Sequence, residues 1–268
     1  MKIHGLQKMT LLDFPGHVAC TVFLGGCDLR CPYCHNYELA TGQAPAVMEE
    51  EELFAFLAKR KGLLDGVAIT GGEPCLHSNL PEFIAKIREL GFPVKLDTNG
   101  THPAVLREIL ERGLVEYAAM DVKNCPSKYA LTAGVQTLDL KPISESIELL
   151  KSSGIDYEFR TTVVDELHEV EDFEAIGKWI EGAKRYFLQC FTDRDTVPFG
   201  GLSAPSKEKL EACAAVAAGY VADVQIRGVD GGEKTQHTRS QPHCGWDCDC
   251  PEALRALANP CNFTGMKR

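Results

Sequence analysis

The sequence predicts an α/β fold in which a mainly parallel sheet, flanked by helices, curls into an open, partial barrel of about six β/α units. Three observations carry this reading. From Val18 to Ile226 short apolar runs alternate with helical patterns, which implies right-handed βαβ connections and parallel strands. The units number about six, whereas a closed eight-unit barrel usually takes about 250 residues. The 268 residues, 44% hydrophobic and 25% charged, have the composition of a globular protein with room for one substantial core and an appendage. A doubly wound open sheet is the other fold the pattern admits. In either fold, functional side chains belong at the C-terminal ends of strands.

The elements follow in order. The apolar run 18–24 reads as a strand. Residues 49–60 read as a helix with acids in the first turn and bases in the last, complementing the helix dipole. Residues 66–70 form a short buried strand. Helices are then expected over 80–90, 103–112, 143–153, 170–181 and 206–218. Strands are expected over 93–97, 115–121, 157–164 and 185–191, with a last apolar run over 221–226. Residues 192–205 are turn-rich and read as a loop able to cover one end of the barrel. From Gly228 onward the composition shifts to Gly, His, Gln, Cys and Pro, which divides the chain into a barrel, 1–228, and a Cys-rich tail, 229–268.

The net charge is −10, and the tail carries five acidic and five basic side chains, so the excess lies in the barrel. An acidic body argues against nucleic-acid binding, which depends on neutralising phosphates with Lys and Arg. It favours a small molecule, or a protein whose docking surface is basic. No apolar segment follows a basic start and no run reaches eighteen apolar residues, so no membrane association is expected and the location reads as cytoplasmic. In a reducing cytoplasm the twelve cysteines stay as thiols, and clustered thiols more often bind metal than pair.

The chemistry is expected in residues 25–36, directly after the first strand. Cys27, Cys31 and Cys34 follow a C-x3-C-x2-C spacing and can converge on one metal centre. Three thiolates are one short of a closed zinc site or an ordinary electron-transfer cluster. A cubane on three cysteines has an iron free to take a substrate or cofactor. A zinc knuckle completed by His35 and a disulfide loop are the alternatives.

With Tyr33 before the last cysteine, this motif resembles the signature of the radical S-adenosylmethionine (SAM) superfamily. Cys34-His35-Asn36 and residues 1–8 resemble its glycyl-radical-enzyme activases, in particular those serving anaerobic ribonucleoside-triphosphate reductase. The likeness extends to about Arg227 and leaves the tail uncovered. It implies a partial (β/α)6 radical SAM barrel with a short Cys-rich C-terminal extension. It also implies a 4Fe-4S cluster on Cys27, Cys31 and Cys34, whose open iron binds SAM, with Tyr33 at the cofactor. The implied reaction is reductive cleavage of SAM to methionine and a 5'-deoxyadenosyl radical, which abstracts a glycine Cα hydrogen from a partner glycyl radical enzyme. A one-electron donor such as flavodoxin or ferredoxin is implied as a second partner.

Four further stretches bear on the site. In Thr70-Gly71-Gly72-Glu73-Pro74 paired glycines let backbone approach a ligand closely, or simply make a tight turn. The resemblance implies that Gly71, Gly72 and Glu73 bind SAM. In Lys95-Leu96-Asp97-Thr98-Asn99-Gly100 and Met120-Asp121-Val122-Lys123, charged residues at i and i+2 project to one side of a strand, into a lumen or into solvent. The resemblance directs Lys123 to the SAM carboxylate, puts Asp97 beside the cofactor, and makes Asp97, Thr98 and Asp121 ligands of a monovalent cation. In 157–163, Glu158, Arg160 and Thr162 share a face, where an arginine suits a carboxylate or ribose-bearing ligand or else pairs with Glu158 or another lumen acid. The resemblance implies that Arg160 contacts SAM.

In the tail, Cys244, Cys248, Cys250 and Cys261 lie beside His237 and His243. Their C-x3-C-x-C-x10-C pattern could hold a second metal but matches no standard spacing, free thiols being the alternative. Cys20, Cys75, Cys125, Cys190 and Cys213 read as buried or incidental thiols. Two other functions stand beside the activase reading. One is radical SAM chemistry on a small molecule, which a mouth closed by 192–205 would favour. The other is a non-catalytic iron-sulfur or zinc protein, which needs four protein ligands.

Overall fold

The computed structural model describes residues 1–228, which form one compact unit. The second metal site expected on Cys244, Cys248, Cys250 and Cys261 lies outside the described residues.

The chain runs β1 (Lys2–Ile3), β2 (Gly5–Thr10), β3 (Ala19–Leu24), α1 (Tyr37–Ala40), β4 (Met48–Glu49), α2 (Glu50–Lys59), β5 (Gly66–Gly71), α3 (Leu80–Glu89), β6 (Val94–Thr98) and α4 (Pro103–Glu111). It continues through β7 (Tyr117–Asp121), α5 (Tyr129–Thr132), α6 (Lys141–Ser152), β8 (Asp156–Val163), α7 (Asp172–Trp179), β9 (Arg185–Cys190), α8 (Lys207–Ala217) and β10 (Asp223–Arg227). The main sheet has eight strands in the order β10-β9-β8-β7-β6-β5-β3-β2. All neighbours are parallel except β2 and β3. Strands β3, β5, β6, β7, β8 and β9 are each followed by a long helix, α2, α3, α4, α6, α7 and α8. This makes six β/α units capped by β10. Among the described residues β2 and β10 each pair on one side only, so the barrel is open, as the sequence predicts.

Alternation along the strands builds two environments. Cys20, Val22, Val67, Ile69, Leu96, Met120, Phe159 and Leu188 are fully buried with helix residues such as Leu53, Ile84, Ile109, Ile147 and Ile176. The intervening positions face the lumen, where the polar residues collect. Phe14, in the loop between β2 and β3, packs with Ala19, Tyr117 and Ala119 and closes the lumen near the N-terminal ends of β3 and β7. Gly66 has no room for a side chain because a Cβ would meet the Phe14 ring at 2.8 Å.

The N-terminal strands escape the sequence reading. β2 is an edge strand with Gln7, Lys8 and Met9 exposed, and so lacks a buried alternating face. The last strand runs to Arg227, one residue past the expected apolar run, because Arg227 is held by its head group. Its guanidinium grips both oxygens of Glu158 (2.9 and 3.0 Å) over the Phe187 ring, and Tyr117 Oη donates to Glu158 as well (2.6 Å).

Candidate active site

The cysteine loop leaves β3 at its C-terminal end and is held by backbone contacts from three directions. Gly26 N–H donates to Leu39 O (2.8 Å), His77 Nε2 to Gly25 O (2.9 Å), and Arg30 N–H to Ala133 O beyond α5 (2.9 Å). Gly134 lies against the same peptide, since a Cβ there would fall 2.0 Å from Arg30 O. Cys27, Cys31 and Cys34 are free thiols on the wall of one cavity of about 280 Å³. Burial pushes Cys27 up to about 12 and Cys31 up to about 11, and raises Cys34 as well. Metal must therefore displace protons from them.

That cavity also collects Tyr33, Gly71, Gly72, Glu73, Asp97, Thr98, Asp121, Lys123 and Arg160, so every site residue expected within 1–228 lines one space. The strand geometry explains why: the turn after β5 and the ends of β6, β7 and β8 all open at the same rim as the cysteine loop.

The glycine pair lets backbone approach closely, and the backbone that approaches is that of the cysteine loop. A Cβ on Gly71 would meet Leu24 O at 2.2 Å, and one on Gly72 would meet Gly26 O at 1.9 Å. Gly72 N–H donates to Leu24 O (2.9 Å) and Glu73 N–H to Gly26 O (2.8 Å). These glycines let β5 and the turn after it press on the cysteine loop, with the Gly72 and Glu73 amides spent on that contact. Glu73, 1% exposed, turns toward the protein. It accepts from Cys75 N–H (2.9 Å), Thr98 Oγ1 (2.8 Å) and Asn99 N–H (2.6 Å). Burial pushes its carboxyl up to about 7, against the pull of those three donors.

The lumen charges form one network. Arg160 donates from Nε to Asp121 (2.9 Å) and lies 3.5 Å from Asp97. Lys123 pairs with Asp121 (3.0 Å), and Lys95 pairs with Asp97. Arg160 therefore pairs with two other lumen acids, and the expected alternative partner Glu158 belongs to Arg227. Burial opposes ionisation of Asp121, but Arg160 and Lys123 outweigh it and hold the carboxyl at about 2. Burial likewise opposes the Lys123 charge, and Asp121 lifts its pKa well above the usual range. Of the expected cation ligands, Thr98 donates to Glu73, while Asp97 and Asp121 pair with Lys95, Lys123 and Arg160.

Sequence reasoning missed two asparagines. Asn36 Nδ2 donates to Gly71 O (3.2 Å), and Asn99 Nδ2 reaches Asp28 Oδ1 (3.1 Å) and Cys27 Sγ (3.7 Å). Asn99 stands in a quoted motif, but no spacing rule shows which way its amide points. The zinc-knuckle alternative fails on geometry: His35 Nε2 donates to Thr192 O (2.7 Å), and its ring stacks on Phe191. Among the described residues no three His, Cys, Asp or Glu side chains converge as ligands of a single ion. The cysteines are unpaired, which removes the disulfide loop.

Fold and site together define a barrel enzyme built to hold a cofactor at the open rim of its strands. The radical SAM superfamily model matches residues 21–180, and the chain belongs to that superfamily. It is 34% identical over 238 residues to a protein of Methanocaldococcus jannaschii provisionally named a glycyl-radical enzyme activating enzyme. The match covers 85% of this chain and 97% of that one. It is 34% identical over 131 residues to the pyruvate formate-lyase-activating enzyme of Clostridium pasteurianum, covering 46% of this chain and 52% of the relative. It is 28% identical over 93 residues to the anaerobic ribonucleoside-triphosphate reductase-activating protein of Salmonella typhi, covering 34% and 60%.

Membership implies a 4Fe-4S cluster and SAM, and the cavity fits both. Three thiols share its wall. Around Asp97 and Asp121 three cations face two carboxylates, leaving a positive charge for a ligand carboxylate. The Tyr33 hydroxyl, buried beside the same cavity, has no hydrogen-bond partner among the described residues.

Proposed function

We propose that this protein is a glycyl-radical-enzyme activase whose partner is anaerobic ribonucleoside-triphosphate reductase. The observation that carries the reading is the convergence of three free thiols, the Lys123–Asp121–Arg160 network and the orphaned Tyr33 hydroxyl on one cavity. When bound, the cluster and SAM supply one-electron reductive cleavage of the cofactor and the abstraction of a glycine Cα hydrogen from the partner.

The chain's own part is to hold and to shield. Cys27, Cys31 and Cys34 hold the cluster, giving up their protons to do so. Lys123 and Arg160, kept charged by Asp121 and Asp97, draw the SAM carboxylate; such bonds to a charged group are about twice as strong as neutral ones. Tyr33 meets a polar group of the cofactor. Gly71, Gly72 and Glu73 act one step back, by keeping the ends of β5 and β6 against the cysteine loop. Among the described residues the gap between β2 and β10 supports a protein substrate, because a loop carrying the target glycine can enter from that side. The similarity to the Salmonella activating protein supports the reductase as the partner to test first.

The test is anaerobic reconstitution with iron and sulfide, followed by SAM, dithionite and the purified reductase. 5'-Deoxyadenosine and a glycyl radical in the electron paramagnetic resonance (EPR) spectrum are expected, and both should vanish in Cys27→Ala. 5'-Deoxyadenosine without a glycyl radical on the reductase, or on a pyruvate formate-lyase supplied in parallel, would turn the reading to a small-molecule substrate.

A further inference from the structure

We propose that Asn99 is an outer donor to the Cys27 thiolate and raises the reduction potential of the cluster that this thiolate helps to hold. The proposal rests on the radical SAM reading of the site and assigns a residue to its electron-accepting step.

The side-chain amide can present only one edge to the sulfur. Asn99 Oδ1 accepts two bonds from Thr101, from N–H (2.9 Å) and from Oγ1 (2.6 Å). A carbonyl oxygen satisfies both donors and an NH2 group satisfies neither, so the Nδ2 edge is the one that faces Cys27 Sγ at 3.7 Å. The backbone is equally constrained, because Asn99 N–H donates to the buried carboxylate of Glu73 (2.6 Å). The residue is 5% exposed, and a hydrogen bond removed from water is electrostatically stronger. Leu29 N–H adds a second donor to the same sulfur at 3.4 Å.

The position also answers a local problem of charge. Asp28 Oδ1 lies 3.9 Å from the Cys27 sulfur, and a carboxylate beside a thiolate is repulsive. Asn99 Nδ2 donates to both (3.1 Å to Asp28), placing positive N–H dipoles between two negative groups. One-electron reduction adds one negative charge to the cluster and its thiolates, with the electron supplied by an external one-electron donor. A donor at the sulfur stabilises the more negative state more, and hydrogen bonds to sulfur are among the factors that set cluster potentials.

The experiment is an anaerobic redox titration of the reconstituted full-length protein with dithionite, followed by EPR of the reduced cluster. Wild type, Asn99→Leu, Asn99→Asp and Thr101→Val are compared at measured iron and sulfide content. Asn99→Leu should shift the midpoint to a more negative potential with cluster content unchanged, and Asn99→Asp should shift it further. Thr101→Val keeps the amide but frees its orientation, so a smaller shift of the same sign is expected. It carries the test if the Asn99 variants fail to fold. An unmoved or raised midpoint at full cluster content overturns the assignment of Asn99 alone. A wild-type chain that takes up no cubane overturns the radical SAM site with it.

Discussion

In the Gly134→Ala variant a methyl group would press on the peptide that joins Arg30 to Cys31. Gly134 has φ +68°, and the added Cβ would sit 2.0 Å from Arg30 O and 3.2 Å from Cys31 N. Cβ atoms essentially never come within 3.0 Å of such a neighbour, so the cysteine loop must retreat by about 1 Å, at the cost of the Arg30 N–H to Ala133 O bond. A non-glycine residue in the left-handed region costs about 1–2 kcal/mol. A lost backbone hydrogen bond costs about 1 kcal/mol net. The total, about 2–3 kcal/mol, is a minor part of the roughly 5–15 kcal/mol that keeps a domain folded, so the variant should fold. The cluster is less tolerant, because misplacing reacting groups by about 1 Å can cost on the order of a hundredfold in rate. Gly113→Ala is the control: its φ is +61°, but nothing lies within 4 Å of the added methyl. Urea denaturation should show Gly134→Ala to be the less stable of the two by about 1 kcal/mol. After reconstitution it should hold less iron and sulfide than Gly113→Ala. Equal midpoints and equal iron content would refute the claim that this glycine sets the position of the cysteine loop.

Glu73 should give the cluster-free protein a pH-dependent stability. Its folded pKa, about 7, lies above the usual carboxylate value, so its contribution is full below about 4.3 and is lost as pH rises through about 7. Urea titrations should show a slope of up to about 1.4 kcal/mol per pH unit in that window, and Glu73→Gln should flatten it. Lys123→Met should weaken SAM binding by about 10–100-fold in equilibrium dialysis of the loaded protein, with iron content unchanged, since a hydrogen bond to a charged group contributes about 1.5–3 kcal/mol. A normal affinity would remove Lys123 from the carboxylate site. Tyr33→Phe deletes a hydroxyl without a partner, so the stability of the cluster-free protein should hold or rise by about 1 kcal/mol while SAM affinity falls. Lost stability with normal affinity would assign the hydroxyl to the fold.

Much of this protein is legible in its sequence because the signals are local. Strand and helix periods repeat within a few residues, so the expected strand over 66–70 is observed as Gly66–Gly71 and the helix over 103–112 as Pro103–Glu111. The spacing of Cys27, Cys31 and Cys34 and the i, i+2 pairs Lys95–Asp97 and Asp121–Lys123 are local as well, and the structure brings all of them but Lys95 to one cavity. Only the tertiary structure decided which charge answers which. Arg160 takes Asp97 and Asp121, and Glu158 goes to Arg227 from a strand two positions away in the sheet. It also decided that Gly71, Gly72 and Gly134 are glycines because other backbone lies against them, and that the Asn99 amide turns its donor edge to Cys27. Such contacts join residues distant in the chain, and the curvature of the sheet that brings them together leaves no period in the sequence.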